Sequence, residues 1–191
     1  MIDLYFEIRK RICPFKIIVD YIPPQTKILD LGCGNGIIYK YFLKNSNFIS
    51  YTGIDNDKKK IKKLQSLNTN KITFLNNNLE EIINIIKNYD CILMIDVMHH
   101  LNKKNQKKII ENILKNMKKN STLIYKDISN KNPIKSLLNR IHDFFFNFQV
   151  INYYELKKII SFAKNNLKIK DFKIFIIQVL WYDHEFLIIN K

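Results

Sequence analysis

Three glycines, Gly32, Gly34 and Gly36, stand within five residues of a 191-residue chain that has only 4 glycines in all. Glycine kept at one point and shed elsewhere marks a backbone that needs positive φ or a close approach there. The apolar run 27–31 ahead of the turn reads as a buried parallel strand, and 37–43 behind it has the spacing of a helix. A strand, a glycine turn and a helix in that order make a bed for a nucleotide-like ligand. The spacing narrows the ligand further. Gly32, Gly34 and Gly36 give G-x-G-x-G rather than the G-x-G-x-x-G of dinucleotide sites, and Asp30, two residues ahead, suits a cationic amino-acid group better than a pyrophosphate. A second carboxylate, Asp55, falls roughly 20 residues beyond the turn, where a βαβ unit hydrogen-bonds ribose hydroxyls.

Groups that could move a proton are few. The chain has 4 histidines, and all of them fall in connections expected near the carboxyl ends of strands. His142 is the first candidate for a general base and His184 the second, with His100 beside them, and Asp143 or Asp127 could orient the ring or hold its charge. His142 and Asp143 need not form a dyad with each other, because neighbours on a helix point about 100° apart. His99 and His142 also suit core or capping positions. No short ligand spacing joins these histidines and acids, so no metal site is expected.

The stretch Ile28-Leu29-Asp30-Leu31-Gly32-Cys33-Gly34-Asn35-Gly36 resembles the first motif of class I S-adenosylmethionine-dependent methyltransferases. The resemblance implies a Rossmann-like α/β fold and S-adenosylmethionine as cofactor. It places Asp30, Gly32, Gly34, Gly36 and Asp96 around the methionine part, Asp55 and Asn56 at ribose and adenine, and Asn78 with Leu79 at the adenine. Asn78 stands where the family often has Asp; its oxygen can still accept from an exocyclic amine. The Asp-Pro-Pro-Tyr or Asn-Pro-Pro-Tyr element of enzymes that methylate amines of nucleic-acid bases is replaced by Asp96-Val97-Met98-His99, and no Pro-Cys pair offers a nucleophile. His99-His100-Leu101 is similar to the small-molecule branch. The implied reaction is in-line methyl transfer to a small apolar or aromatic acceptor, free, lipid-linked or carrier-bound, most readily at oxygen. RNA or DNA is the second reading.

The elements that must position these residues follow from periodicity. Strands are expected over 48–54, 71–75, 90–95 and 121–125, with helices over 58–67, 79–87 and 105–117 between them. This alternation predicts one doubly wound, mainly parallel sheet with ligands at the carboxyl ends of its strands. A final hairpin, strands over 171–179 and 185–189, matches the family's usual antiparallel ending and brings the expected sheet to seven strands. Residues 2–22 read as helices broken at Cys13-Pro14, and by resemblance residues 1–24 form a helical lid over the cofactor. Residues 129–150 read as an inserted helix on the substrate side, with Asn132-Pro133 at its start and Phe144, Phe145, Phe146 and Phe148 near its end. Asn152 to Glu155 resembles a capping box for a helix running to about Asn165.

Composition bounds the rest. The length suits one domain, and 47% hydrophobic with 26% charged residues is ordinary for a globular protein. No apolar run approaches a membrane span, and three unpatterned cysteines point to a reducing, cytoplasmic setting. The net charge of +15 would suit nucleic acid, but the basic residues are almost all lysine, spread along every helix, while arginine is the preferred partner of phosphate and base edges.

Overall fold

The computed structural model describes residues 4–129, Leu137 and residues 152–191. In chain order these form α1 (Leu4–Ile12), α2 (Phe15–Asp20), β1 (Lys27–Leu31), a π-helical turn (Tyr39–Leu43), β2 (Ser50–Asp55), α3 (Lys58–Leu64) and β3 (Ile72–Asn76). Besides a short 3-10 turn after α3 (Gln65–Leu67), a 3-10 turn (Ile83–Asn88), β4 (Cys91–Ile95), a third 3-10 turn (Met98–His100), α4 (Lys103–Asn116) and β5 (Thr122–Ile128) follow. The last elements are α5 (Leu156–Leu167), β6 (Asp171–Val179) and β7 (Tyr182–Asn190).

The strands form one seven-stranded sheet in the order β3-β2-β1-β4-β5-β7-β6. The first five pair in parallel, and β7 runs antiparallel between β5 and β6, so the Rossmann-like sheet expected from the alternation is present. Period-2 alternation sends Ile28, Tyr51, Leu93, Ile124 and Phe186 to one face, where α2, α3 and the π-helical turn cover them. Leu29, Ile92, Met94, Leu123 and Leu187 go to the other, under α4 and α5. All five residues of β4, in the middle of the sheet, are buried, as a strand covered on both faces requires.

Several elements differ from the periodicity. The helix expected over 79–87 is only the 3-10 turn Ile83–Asn88. Ile82 and Ile86 are still buried; the i, i+3 pairs Ile82/Ile85 and Ile83/Ile86 also fit a 3-10 turn, and four isoleucines within five residues weaken the α-helical alternative. The strand expected over 121–125 continues through Lys126 and Asp127 to Ile128, because β7 pairs with β5 beyond the end of β4, up to Ile128 opposite His184. The capping box at 152–155 is absent: Glu155 is the N-cap of α5 without a side-chain cap bond, and its carboxylate pairs with Lys157 and Lys158 instead. The helix expected within 129–150 lies outside the described residues.

Candidate functional site

Gly32, Gly34 and Gly36 all have positive φ, 72°, 56° and 69°. Gly32 is pinned below by Val97, only 2.5 Å from where a Cβ would stand, and Gly36 by Leu64 at 3.0 Å. Gly34 has no atom within 4 Å of that position, so this part of the turn faces open space. Asp55, at the end of β2, ties the turn to the next strand: its carboxylate accepts from Gly34 N at 2.9 Å and from Asp57 N at 2.8 Å. Each oxygen keeps a further lone pair for a ligand. Asn56 beside it is exposed.

Asp30 is buried in β1, and its carboxylate accepts from the Tyr51 hydroxyl at 2.5 Å. Burial raises its pKa to about 7, against the lowering effect of that hydrogen bond. That hydrogen bond engages one carboxylate oxygen, Oδ2. Asn78 is exposed, with its amide nitrogen 3.3 Å from Glu81, and Leu79 packs against the core.

A polar cluster occupies the carboxyl ends of β4, β5 and β7. Asp96, at φ 55°, receives Lys126 Nζ at 2.5 Å on one oxygen and Arg9 of α1 at 2.5 Å on the other. Burial alone would raise the Asp96 pKa; the Lys126 and Arg9 charges outweigh it and hold the carboxyl far below the usual range. Asp96 was expected beside the methionine part, but both its oxygens are engaged by cations. Lys126 is fully buried, so Asp96 supplies the counter-charge without which it could not stay there.

Lys126 and Asp127 leave β5 on opposite faces. The Asp127 carboxylate bonds His99 Nδ1 and also accepts from the His99 and Ile128 backbone N–H groups. His99 is only 4% exposed, while His100 is exposed, with its ring centroid 4.0 Å from that of His99. Candidate ligand atoms of Asp96, His99 and Asp127 lie within 4.8 Å of one another. Because Lys126 and Arg9 already balance Asp96, this trio reads as part of an ion-paired network rather than a cation cage.

The candidate bases fare differently. His184 is a correction: it is 1% exposed within β7, its Nε2 lies 2.8 Å from the Ile12 carbonyl, and burial together with the Lys126 charge lowers its pKa to about 3. A ring so reluctant to take a proton is a poor base near neutrality. His142 and Asp143 lie outside the described residues. Asp127 does orient a histidine, but that histidine is His99, for which the sequence suggested a core or capping position. The missed signal was topological: β4 and β5 are neighbours in register, so the residues just past their ends must meet.

A family model described as a methyltransferase domain matches residues 5–167. A search of curated proteins found no match. Among solved structures, a chain of the complex between the Haloferax volcanii Trm112 methyltransferase activator and a methyltransferase aligns with a TM-score of 0.75 at 10% identity, covering 97% of this chain and 92% of that one. An S-adenosylmethionine-dependent methyltransferase from Archaeoglobus fulgidus aligns at 0.71 and 16%, covering 99% and 100%. Magnesium protoporphyrin IX methyltransferase from Synechocystis, with bound S-adenosylhomocysteine, aligns at 0.66 and 15%, covering 98% and 84%.

Proposed function

The chain belongs to the methyltransferase-domain family, and from that premise we propose that it methylates a small apolar or aromatic acceptor, at oxygen, with S-adenosylmethionine as donor and His99 as proton acceptor. The observation that carries the cofactor assignment is the open bed over Gly34 beside Asp55. The residues present fit the cofactor there: a carboxylate with lone pairs to spare for hydroxyl groups, next to a turn whose middle glycine has room above it. Bound in this bed, S-adenosylmethionine supplies an electrophilic methyl group.

The chain's own part is to bind, align and take up a proton. Asp55 accepts from ribose hydroxyls. Asp127 holds Nδ1 of His99 and fixes the ring, and in this reading the imidazole takes up the proton of an acceptor hydroxyl. The buried carboxylate then stabilises the imidazolium it faces. Support for a small acceptor over a nucleic acid comes from Asp96-Val97-Met98-His99, which stands in place of the base-amine element.

The test is calorimetry with S-adenosylhomocysteine. Asp55→Ala should weaken binding by about 2 kcal/mol, roughly 30-fold, the worth of hydrogen bonds to a charged group. Unchanged affinity would remove the cofactor assignment.

A further inference from the structure

Four of the eight large apolar side chains exposed among the described residues fall between positions 174 and 181: Ile174 (52% exposed), Ile176 (50%), Leu180 (61%) and Trp181 (37%). Ile174 and Ile176 share one face of the edge strand β6, and Leu180-Trp181 is the two-residue loop between the paired Val179 and Tyr182. The loop chemistry is wrong for folding alone. Leu180 sits at φ 55°, in the left-handed region where a tight hairpin calls for asparagine or glycine. A bulky apolar residue in that conformation, mostly in solvent, points to a demand other than stability.

The position of the tip says what meets it. β6 runs parallel with β5, so the tip stands at the same end of the sheet as the glycine turn. The end of α1 lies against it: Ile12 packs on Tyr182, whose ring contacts Trp181, and Lys10 and Arg11 just before Ile12 are exposed. An exposed apolar tip next to the basic end of α1, on a chain of net charge +15, matches the headgroup boundary of an anionic bilayer, where tryptophan is favoured. We infer that the β6–β7 tip, with Lys10 and Arg11, docks the protein on an anionic lipid surface, Leu180 and Trp181 entering the boundary. No described helix is long and apolar enough to span the membrane, so the contact is peripheral. Docked so, the end of the sheet that carries the site stands nearest the lipid, a place from which a lipid-tailed acceptor could be taken; that last step rests on the methyl-transfer reading.

Trp181 is the only tryptophan in the chain, so its emission reports the contact directly. The full-length chain is titrated with vesicles of phosphatidylcholine alone and with vesicles half phosphatidylglycerol. The expected result is a blue shift and co-sedimentation with the anionic vesicles only, weakened by salt. Leu180→Gly keeps the fold, since glycine takes that φ without strain, and should bind these vesicles about tenfold more weakly. Trp181 emission unmoved by anionic vesicles, or Leu180→Gly binding like the wild type, would overturn the inference. A shift with mixed RNA and none with vesicles would overturn it too and assign the surface to nucleic acid. Binding is read without turnover, so these outcomes are separate from those of the cofactor calorimetry.

Discussion

Replacing Gly34 and Gly32 by alanine, one at a time, separates the ligand bed from its support. Both glycines have positive φ, so each alanine carries a backbone cost of about 1–2 kcal/mol. At Gly34 nothing else is added, because no atom lies within 4 Å of the new Cβ. At Gly32 the Cβ would stand 2.5 Å from Val97 Cγ2, and overpacking adds about 1–3 kcal/mol. For a chain of this length each kcal/mol lowers Tm by about 2–4 °C, so Gly34→Ala should lose about 2–8 °C and Gly32→Ala distinctly more. Binding should be affected in both, but in Gly34→Ala the loss of affinity for S-adenosylhomocysteine should far exceed what its small loss of stability explains. Adding Val97→Ala to Gly32→Ala should recover the packing part, seen as favourable coupling in a double-mutant cycle. Scanning calorimetry and titration calorimetry on the wild type, the Gly34→Ala, Gly32→Ala and Val97→Ala variants and the double variant decide it. Wild-type affinity in Gly34→Ala would refute the bed, and a Gly32→Ala protein no less stable than Gly34→Ala would refute the support.

Two buried groups should impose opposite pH dependences on stability. Asp30, at about 7 when folded against an ordinary 3.8, keeps a proton that the unfolded chain has released, so its contribution is lost as pH rises from about 4 to 7. His184, at about 3 against 6.5, refuses a proton that the unfolded chain takes up, so its contribution is lost as pH falls from 6.5 toward 3. Between pH 4 and 6.5 each slope is about 1.4 kcal/mol per unit and the two offset each other, so the stability of Asp30→Asn against urea should fall on acidification and that of His184→Gln on raising the pH. Identical slopes in the two variants would exclude this account. For the proton acceptor, His99→Gln should lower kcat by about 10²–10⁴ with any hydroxylated acceptor that turns over, and remove the acidic limb of the pH profile. Asp127→Asn should displace that limb, with S-adenosylhomocysteine affinity kept in both; a wild-type rate and limb in His99→Gln would dismiss the base.

Local signals were legible in the sequence. The glycine turn, Asp55 at the end of the second strand and the strand alternation each depend on residues within one βαβ unit, and the structure has the turn and the strands where spacing put them. Contacts joined across the chain were not. Arg9 meets Asp96 from 87 positions away and His184 meets Ile12 from 172, and no periodicity encodes such a pairing. The hydrogen bond between Asp30 and Tyr51 was hidden for another reason: alternation puts both on one face, but their meeting depends on how β1 and β2 pair. The stretch 79–87 misled because its apolar spacing serves two helical periods at once.

The place of β7 in the sheet bears on how the chain is made. β6 leaves the ribosome before β7, yet β7 stands between β6 and the rest of the sheet. Until β7 emerges, β6 has no native strand to pair with, and its backbone donors and acceptors stay open along nine residues that include Phe172, Ile174, Phe175, Ile176 and Ile177. A nascent chain halted in this interval therefore offers a long apolar strand to any neighbour. Pairing with β5 at Thr122–Ile128 must then span more than 50 residues of chain, a loop closure that makes sheet completion the slow, late step of folding.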